Sequence, residues 1–391
     1  MSSFANKIKG DKVIWAVVIL LSVFSLLAVY SSSGTLAYKY KGGNTEYYMI
    51  KHFTILAFGF GLMYLAHLVN YTYYSRIFQI ILFIVVPLLA LTLVIGIDLN
   101  DAKRVLPLPF NLSFQTSDLA KLTLIVYLAR LLTKKQDQIK DFRSAFVPLM
   151  LPILIVCGLI LPSNFSTAAL LFVTCLVLMF IGRVNMTYIL SLVMIGVVIL
   201  TVFIFILYNS SGDKKGRIGT WKNRIENFIS PDGSSESTYQ VDQSKIAIAS
   251  GGIIGKGPGN STQRNFLPHP YSDFIFAIII EEYGLIGASV IVLLYMILFY
   301  RAVKIVTIIP KKFGAFLTIG VAFNLVFQAL INMGVAVDLL PVTGQPLPLV
   351  SMGGTSIWFT SLSIGIILSV SKEVNLTGKI DKSQENVESQ S

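Results

Sequence analysis

The sequence predicts an all-α polytopic membrane protein of about ten transmembrane helices, N-in and C-in, with one large extracytoplasmic loop between spans 7 and 8. Three observations predict it. Only 13% of the 391 residues are charged and 54% are apolar or aromatic, whereas soluble domains carry about 25% charged residues to cover a water-facing surface. Apolar runs recur at the length that crosses a bilayer, about 20 residues. Lys and Arg gather on alternate connections between those runs, as the cytoplasmic bias of basic residues requires. An ordinary soluble enzyme, a disordered chain and a disulfide-stapled secreted module are thereby excluded. Cys157 and Cys175 both sit inside apolar runs.

In chain order the runs lie near 13–30, 52–70, 77–97, 118–133, 147–161, 166–182, 186–207, 273–300, 313–333 and 352–371. The first follows Lys7, Lys9 and Lys12, but its length and the further spans make it a retained anchor rather than a signal peptide. The fourth and fifth are short and carry polar residues. No internal repeat of the kind that builds many transporters is visible. With the N-terminus inside, the inner segments hold 17 Lys/Arg and the short outer loops five: Lys39, Lys41, Lys51, Lys103 and Arg104. The net charge of +11 then divides into +10 on inner segments and +1 elsewhere. It is an orientation signal, and no nucleic-acid partner follows from it.

Residues 208–272 make a 65-residue outer segment, far beyond the usual connection of about 4–6 residues. Its Trp221, Phe228, Tyr239 and glycine-rich stretch suit a partly folded functional loop. Residues 1–371 form the transmembrane domain, and 372–391 a polar cytoplasmic tail expected to be disordered.

Charges near membrane depth are costly and tend to mark function. Asp273 stands at the outer mouth of the eighth span, and Glu281 lies roughly 12 Å deeper beside Glu282. Asp273 taken alone reads first as a helix N-cap. Asp118 and Lys121 are neighbours at i,i+3 on the fourth span. They make either a local ion pair or a means for Lys121 to reach Asp273, Glu281 or Glu282. Lys103 and Arg104 put two cations in an outer loop, where they suit a phosphate-bearing ligand or simple solvation. Gly251–Gly259 lacks the Gly-Lys-Ser/Thr ending of a P-loop and reads as a tight turn. Three prolines in Leu340–Pro348 forbid continuous helix, and Gln345 is the side chain there best suited to bind something. His52, His67 and His269 have no spacing suited to zinc.

Four stretches, in order, resemble the SEDS family (shape, elongation, division and sporulation), the peptidoglycan polymerases of the FtsW and RodA type. They are Ala102-Lys103-Arg104 with Phe114–Lys121; Tyr239-Gln240, Gln243-Ser244 and Gly251–Gly259; Leu267-Pro268 with Ser272–Ala277 and Glu281-Glu282; and Leu340–Pro348. The resemblance covers nearly the whole chain. Departures are Asp118 where the family has Glu, and Ser163–Thr167 where it has Pro-Asp-x-Gly-Thr. His269-Pro270-Tyr271 also departs, and no role is assigned to Asn164 or His269. Gly259-Asn260-Ser261 with Gln263 is nearer the FtsW, division branch.

The resemblance implies an inverting peptidoglycan glycosyltransferase acting on lipid II at the outer face of the cytoplasmic membrane. It implies Asp273 as catalytic base, with Lys103, Arg104, Lys121, Arg217, Arg224 and Gln345 binding substrate. Asp118, Glu281, Glu282 and Ser244 would support them. It also implies a divalent cation (Mg²⁺ or Mn²⁺), a class B penicillin-binding protein as transpeptidase partner, other divisome or elongation proteins, and a place at the division septum. The alternatives are a lipid II flippase and a non-catalytic scaffold. The outer-face gathering of polar residues around Asp273 favours the enzyme.

Overall fold

A computed structural model describes residues 10–98, 103–108, 112–209, 219, 236–268 and 270–388. A helix covers each of the ten apolar runs. These are α1 (Lys12–Ser32), α3 (Thr45–Leu68), α4 (Tyr71–Ile95), α5 (Thr116–Lys134), α6 (Val147–Ile160), α7 (Phe165–Ile181), α8 (Met186–Asn209), α10 (Ile275–Ile308), α11 (Lys312–Ala336) and α12 (Thr355–Glu388). Short α2 (Gly34–Lys41) and loop helix α9 (Glu236–Gly251) complete the set. Among the described residues, seven helices are long and apolar enough to cross a membrane, while α7 and α8 are shorter apolar helices by the same measure.

Asn and Asp side chains start several of them. Asp11 accepts from the N–H groups of Val13 and Ile14, Asn44 from Tyr47, Asn70 from Thr72 and Asn164 from Thr167. Each satisfies a donor that the first turn leaves open. α11 is the hub, packing on α5, α7, α10 and α12, and α12 lies along α3.

Three features differ from the sequence reading. The chain is not wholly α: β1 (Ile97–Asp98), β2 (Lys103–Leu108) and β3 (Leu112–Gln115) form an antiparallel ribbon in the order β1-β2-β3. Val105 pairs with Gln115 and Leu106 with Phe114. Pro107, lacking an N–H, lies beyond the short partner β1, where β2 needs bonds on one side only. Second, α12 continues past residue 371 to Glu388, so backbone expected to be disordered is helical. Its Lys, Glu and Gln residues are good helix formers.

Third, the Gly251–Gly259 run is more than a turn between loop elements. α10 is broken at Gly284, whose φ is 67°, about 14 Å below the start of the helix. The loop fills the break: Leu285 N–H donates to Gly252 O (3.0 Å), while Lys256 and Gly257 N–H donate to Glu281 O and Glu282 O (both 2.9 Å). Backbone meets backbone there. A Cβ at Gly251, Gly255 or Gly284 would collide with the carbonyls of Ile280, Glu282 or Ile253. Irregular backbone at this depth survives because the protein satisfies its own polar groups.

Candidate active site

Asp273 lies in the turn before α10, half-buried. It does not cap the helix; the cap position is Phe274, and no side chain bonds there. Instead Asp273 Oδ1 accepts from Ser272 Oγ at 2.8 Å, and the Asp273 carbonyl accepts from Asn332 Nδ2 at 2.9 Å. Asn332 also donates to Gln345 O at 2.8 Å. One side chain on α11 therefore holds both the aspartate and the proline-rich loop. Ser351 adds a second tie, donating to Ser272 O (2.6 Å) and accepting from Leu347 N–H (2.8 Å). Met352 N–H donates to Tyr271 O at 2.9 Å.

Gly344 faces the carboxylate. An added Cβ there would stand 3.6 Å from Asp273 Oδ2, and its φ is +66°. A left-handed residue without a side chain leaves that side of the carboxylate open. Gln345 points elsewhere: it is buried, and its Nε2 donates to Thr167 Oγ1 of α7 at 2.7 Å. The amide ties the loop to α7. Thr167 and the α7 cap Asn164 fall in the stretch where the family pattern breaks.

Lys121 departs from the longer-range expectation. Its Nζ pairs with Asp118 at 2.8 Å and donates to Gln328 Oε1 at 3.1 Å. Its ion pair is the local i,i+3 one, and none of Asp273, Glu281 or Glu282 is its ion-pair partner. Five residues of helix are too short to bring Lys121 to α10 while α11 stands between, and Gln328 on α11 intercepts it. The link to Asp273 is indirect, since Gln328 Nε2 donates to Pro346 O at 2.9 Å. Asp118 Oδ2 and Asn324 Oδ1 are buried without a partner. Both residues line a cavity of about 20 Å³ between α5, α11 and α12, with Ser356, Thr360 and Ser363. That is room for about one water.

The two glutamates anchor the loop that leads to Asp273. Glu281 accepts from Lys256 Nζ (2.6 Å), Ser261 Oγ (2.5 Å), Thr262 Oγ1 (2.8 Å) and N–H (3.1 Å), and Gln263 N–H (3.2 Å). Glu282 accepts from Ser31 Oγ, and Arg264 donates to that hydroxyl and to Ser31 O at 3.1 Å each. Ser244 donates to Ala336 O at 2.6 Å, fixing α9 to the end of α11. On β2, Lys103 donates to Val94 O and Arg104 Nε to Ser163 O, the latter at 3.0 Å. Arg217 and Arg224 lie outside the described residues, as does His269.

The sequence reading missed Asn324, Gln328 and Asn332. A signal existed: three carboxamides, four residues apart, on one face of an otherwise apolar run. Of the residues that hold Glu281, Ser261 was visible only as part of the FtsW-like Gly259-Asn260-Ser261 and Lys256 only as part of the glycine-rich run, and Thr262 carried no signal.

This architecture recurs in known proteins. The sequence profile of the FtsW/RodA/SpoVE family, described as cell cycle protein, matches residues 11–376. A Geobacter sulfurreducens protein named "Probable peptidoglycan glycosyltransferase FtsW" is 32% identical over 366 residues, covering 92% of this chain and 95% of its own. Stage V sporulation protein E of Bacillus subtilis is 32% identical over 379 residues, covering 94% and 98%. Among solved structures, Thermus thermophilus RodA aligns with a TM-score of 0.65 at 22% identity, covering 93% of this chain and 97% of its own. A chain of a peptidoglycan synthase complex aligns at 0.69 with 24% identity, covering 93% and 98%. A profile spanning nearly the whole chain, full-length relatives and the same fold agree, and the chain belongs to the FtsW/RodA/SpoVE family.

Proposed function

We propose that the chain is a multi-pass peptidoglycan glycosyltransferase of the bacterial cytoplasmic membrane. It polymerises lipid II at the outer face, for septal wall synthesis. The observation that carries this reading is Asp273: a half-buried carboxylate at the mouth of α10, open beside Gly344, its backbone held by Asn332. All ten helices cross the membrane with both termini inside, which puts Asp273, the β ribbon and the proline-rich loop on the outer face.

Chain growth requires the 4-hydroxyl of one sugar to attack the anomeric carbon of another. Undecaprenyl pyrophosphate leaves, and the anomeric configuration inverts. A hydroxyl needs a base for this, and one positioned carboxylate suffices. Asp273 takes the proton as the new bond forms. The leaving pyrophosphate needs positive charge. Lys103 spends one donor on a backbone carbonyl, and its ammonium has further N–H groups to offer phosphate oxygens; Arg104, beside it on β2, is tied to Ser163 O. Arg217 and Arg224 are the other cations of this role.

Among the described residues no three His, Cys, Asp or Glu side chains come together as a metal cage. The residues suit a cation carried in by the substrate, since Mg²⁺ is commonly held by one or two carboxylates plus phosphates. The cation would neutralise charge on the leaving group, on the face of the sugar opposite Asp273. A class B penicillin-binding protein is the partner this reading implies, and the likeness to a chain of a synthase complex supports it. A flippase would need a polar path through the bundle. The buried polar cavity between α5, α11 and α12, about 20 Å³, is not itself such a path.

The test is purified protein with labelled lipid II and Mg²⁺ or Mn²⁺, alone and with its transpeptidase partner. Wild type is expected to make polymer and Asp273→Ala none. Equal polymer from both removes Asp273 as the base; no polymer from either, with the partner present, removes the enzyme reading.

A further inference from the structure

A second polar site lies at the opposite end of the bundle from Asp273. The turn after α5 (Gln136, Asp137, Lys140, Asp141), the end of α7 (Arg183) and the start of α11 (Lys312) line a groove of about 810 Å³. Gln136 Nε2 donates to Gly182 O at 3.3 Å, joining two of these elements, and buried Ile139 forms part of the wall. Lys140, Arg183 and Lys312 are exposed. The ion pairs among the described residues involve other cations. Three exposed cations outside those ion pairs thus line one groove, in excess over the carboxylates of Asp137 and Asp141, of which Asp141 accepts from the N–H of Ser144 at 2.7 Å.

Two further observations point to a ligand. Arg183 has φ 63°, in the left-handed region that disfavours a residue with a Cβ. It follows the end of α7 where Gly or Asn is the usual choice. The left-handed backbone presents the exposed Arg183 side chain at the groove. Beside the groove, Phe142, Phe146 and Tyr188 pack ring on ring, with centroids 5.0–5.3 Å apart. From there an exposed apolar face runs along α6 and α8 through Val147, Leu151, Met186 and Leu190. Cations at helix ends, an aromatic cluster and an apolar flank in sequence match a headgroup, the interface and acyl chains.

We propose that this groove binds the headgroup of an anionic phospholipid of the inner leaflet, its acyl chains lying along α6 and α8. The placement rests on the N-in, C-in orientation proposed above. Each cation at a membrane surface strengthens such binding roughly fivefold.

The test uses the full chain in nanodiscs of phosphatidylcholine doped with phosphatidylglycerol, reading retained lipid by native mass spectrometry. Wild type is expected to retain phosphatidylglycerol over phosphatidylcholine. Arg183→Gly is expected to weaken retention roughly fivefold while its thermal midpoint stays level or rises, because glycine relieves the strain. Lys140→Ala with Lys312→Ala should weaken it further. Arg76→Ala with Lys304→Ala removes two exposed cations that do not line the groove and should weaken retention less than Arg183→Gly alone. Equal retention by wild type and Arg183→Gly overturns the proposal, and so does an equal loss in the Arg76/Lys304 control. Displacement by inorganic phosphate as effectively as by phosphatidylglycerol would identify a soluble anion instead, and also overturns it. Separately, Lys140→Cys should react with an impermeant maleimide only in permeabilised cells. Reaction in intact cells would overturn the orientation, whatever the lipid result.

Discussion

Asp273 depends on two residues whose contributions can be separated. Gly344 contributes by lacking a side chain. Gly344→Ala places a methyl 3.6 Å from Asp273 Oδ2 at φ +66°, a conformation costing an L-residue roughly 1–2 kcal/mol. Polymerisation is expected to fall about tenfold to a hundredfold in a chain that still folds, and unchanged turnover would show that this side of the carboxylate is unused. Asn332 contributes by holding. Asn332→Leu removes donors from the carbonyls of Asp273 and Gln345, leaving buried acceptors at a cost of about 1–3 kcal/mol. A lowered thermal midpoint and slower polymerisation are expected. Asn324→Leu, whose side chain ties neither segment, should cost less; parity between the two would refute the holding role. Asp273 stands out in the sequence because a carboxylate at the mouth of an apolar run is conspicuous, and the surrounding residues resemble a family; the geometry adds the ties that hold it. Asn332 does not stand out, because its two acceptors lie 59 and 13 positions away and meet only when the proline-rich loop folds back.

At the scale of elements, α10 and the loop before it share one hydrogen-bond system. Glu281 is fully buried while Lys256 is 31% exposed, so the two ends of their ion pair are not equivalent. Glu281→Ala strands several donors in the interior and is expected to cost about 3–5 kcal/mol. Lys256→Met leaves the carboxylate with Ser261, Thr262 and Gln263, and should cost about 1–2 kcal/mol. Thermal midpoints in detergent check the ordering, and a larger loss for Lys256→Met would contradict it. The helices themselves were legible from hydropathy alone. The break at Gly284 was not, since nothing in Glu282-Tyr283-Gly284 announces that another backbone crosses there. The glycine-rich run looked like a turn for the same reason: a glycine needed for close approach cannot be told from one needed for a bend until its neighbour is known. The β ribbon escaped because its strands are at most six residues long and were absorbed into an outer loop.

For the whole molecule, the end of the bundle opposite Asp273 is fastened by one residue. Asp11 caps α1, accepts from Arg301 Nε at 2.7 Å, and through its N–H donates to Ser371 Oγ at 3.0 Å. One residue thereby joins α1, α10 and α12. Arg301→Met should lower stability by about 1–3 kcal/mol without altering the metal or substrate dependence of polymerisation. A variant as stable as wild type would show the staple to be idle. The staple was not legible in the sequence, because it depends on the start of α1 meeting the last turns of α10 and the middle of α12.

The break in α10 also bears on how the chain is made. A span carrying Glu281 and Glu282 side by side pays about 2.5–3.5 kcal/mol for an acidic residue near its centre. Residues 236–267 leave the ribosome before α10 does, so the donors that neutralise both glutamates have already been synthesised when that helix enters the bilayer. Synthesis in the reverse order would insert two uncompensated acids first. A circular permutant that begins at the turn before α10 would reverse the order of synthesis and is expected to insert poorly.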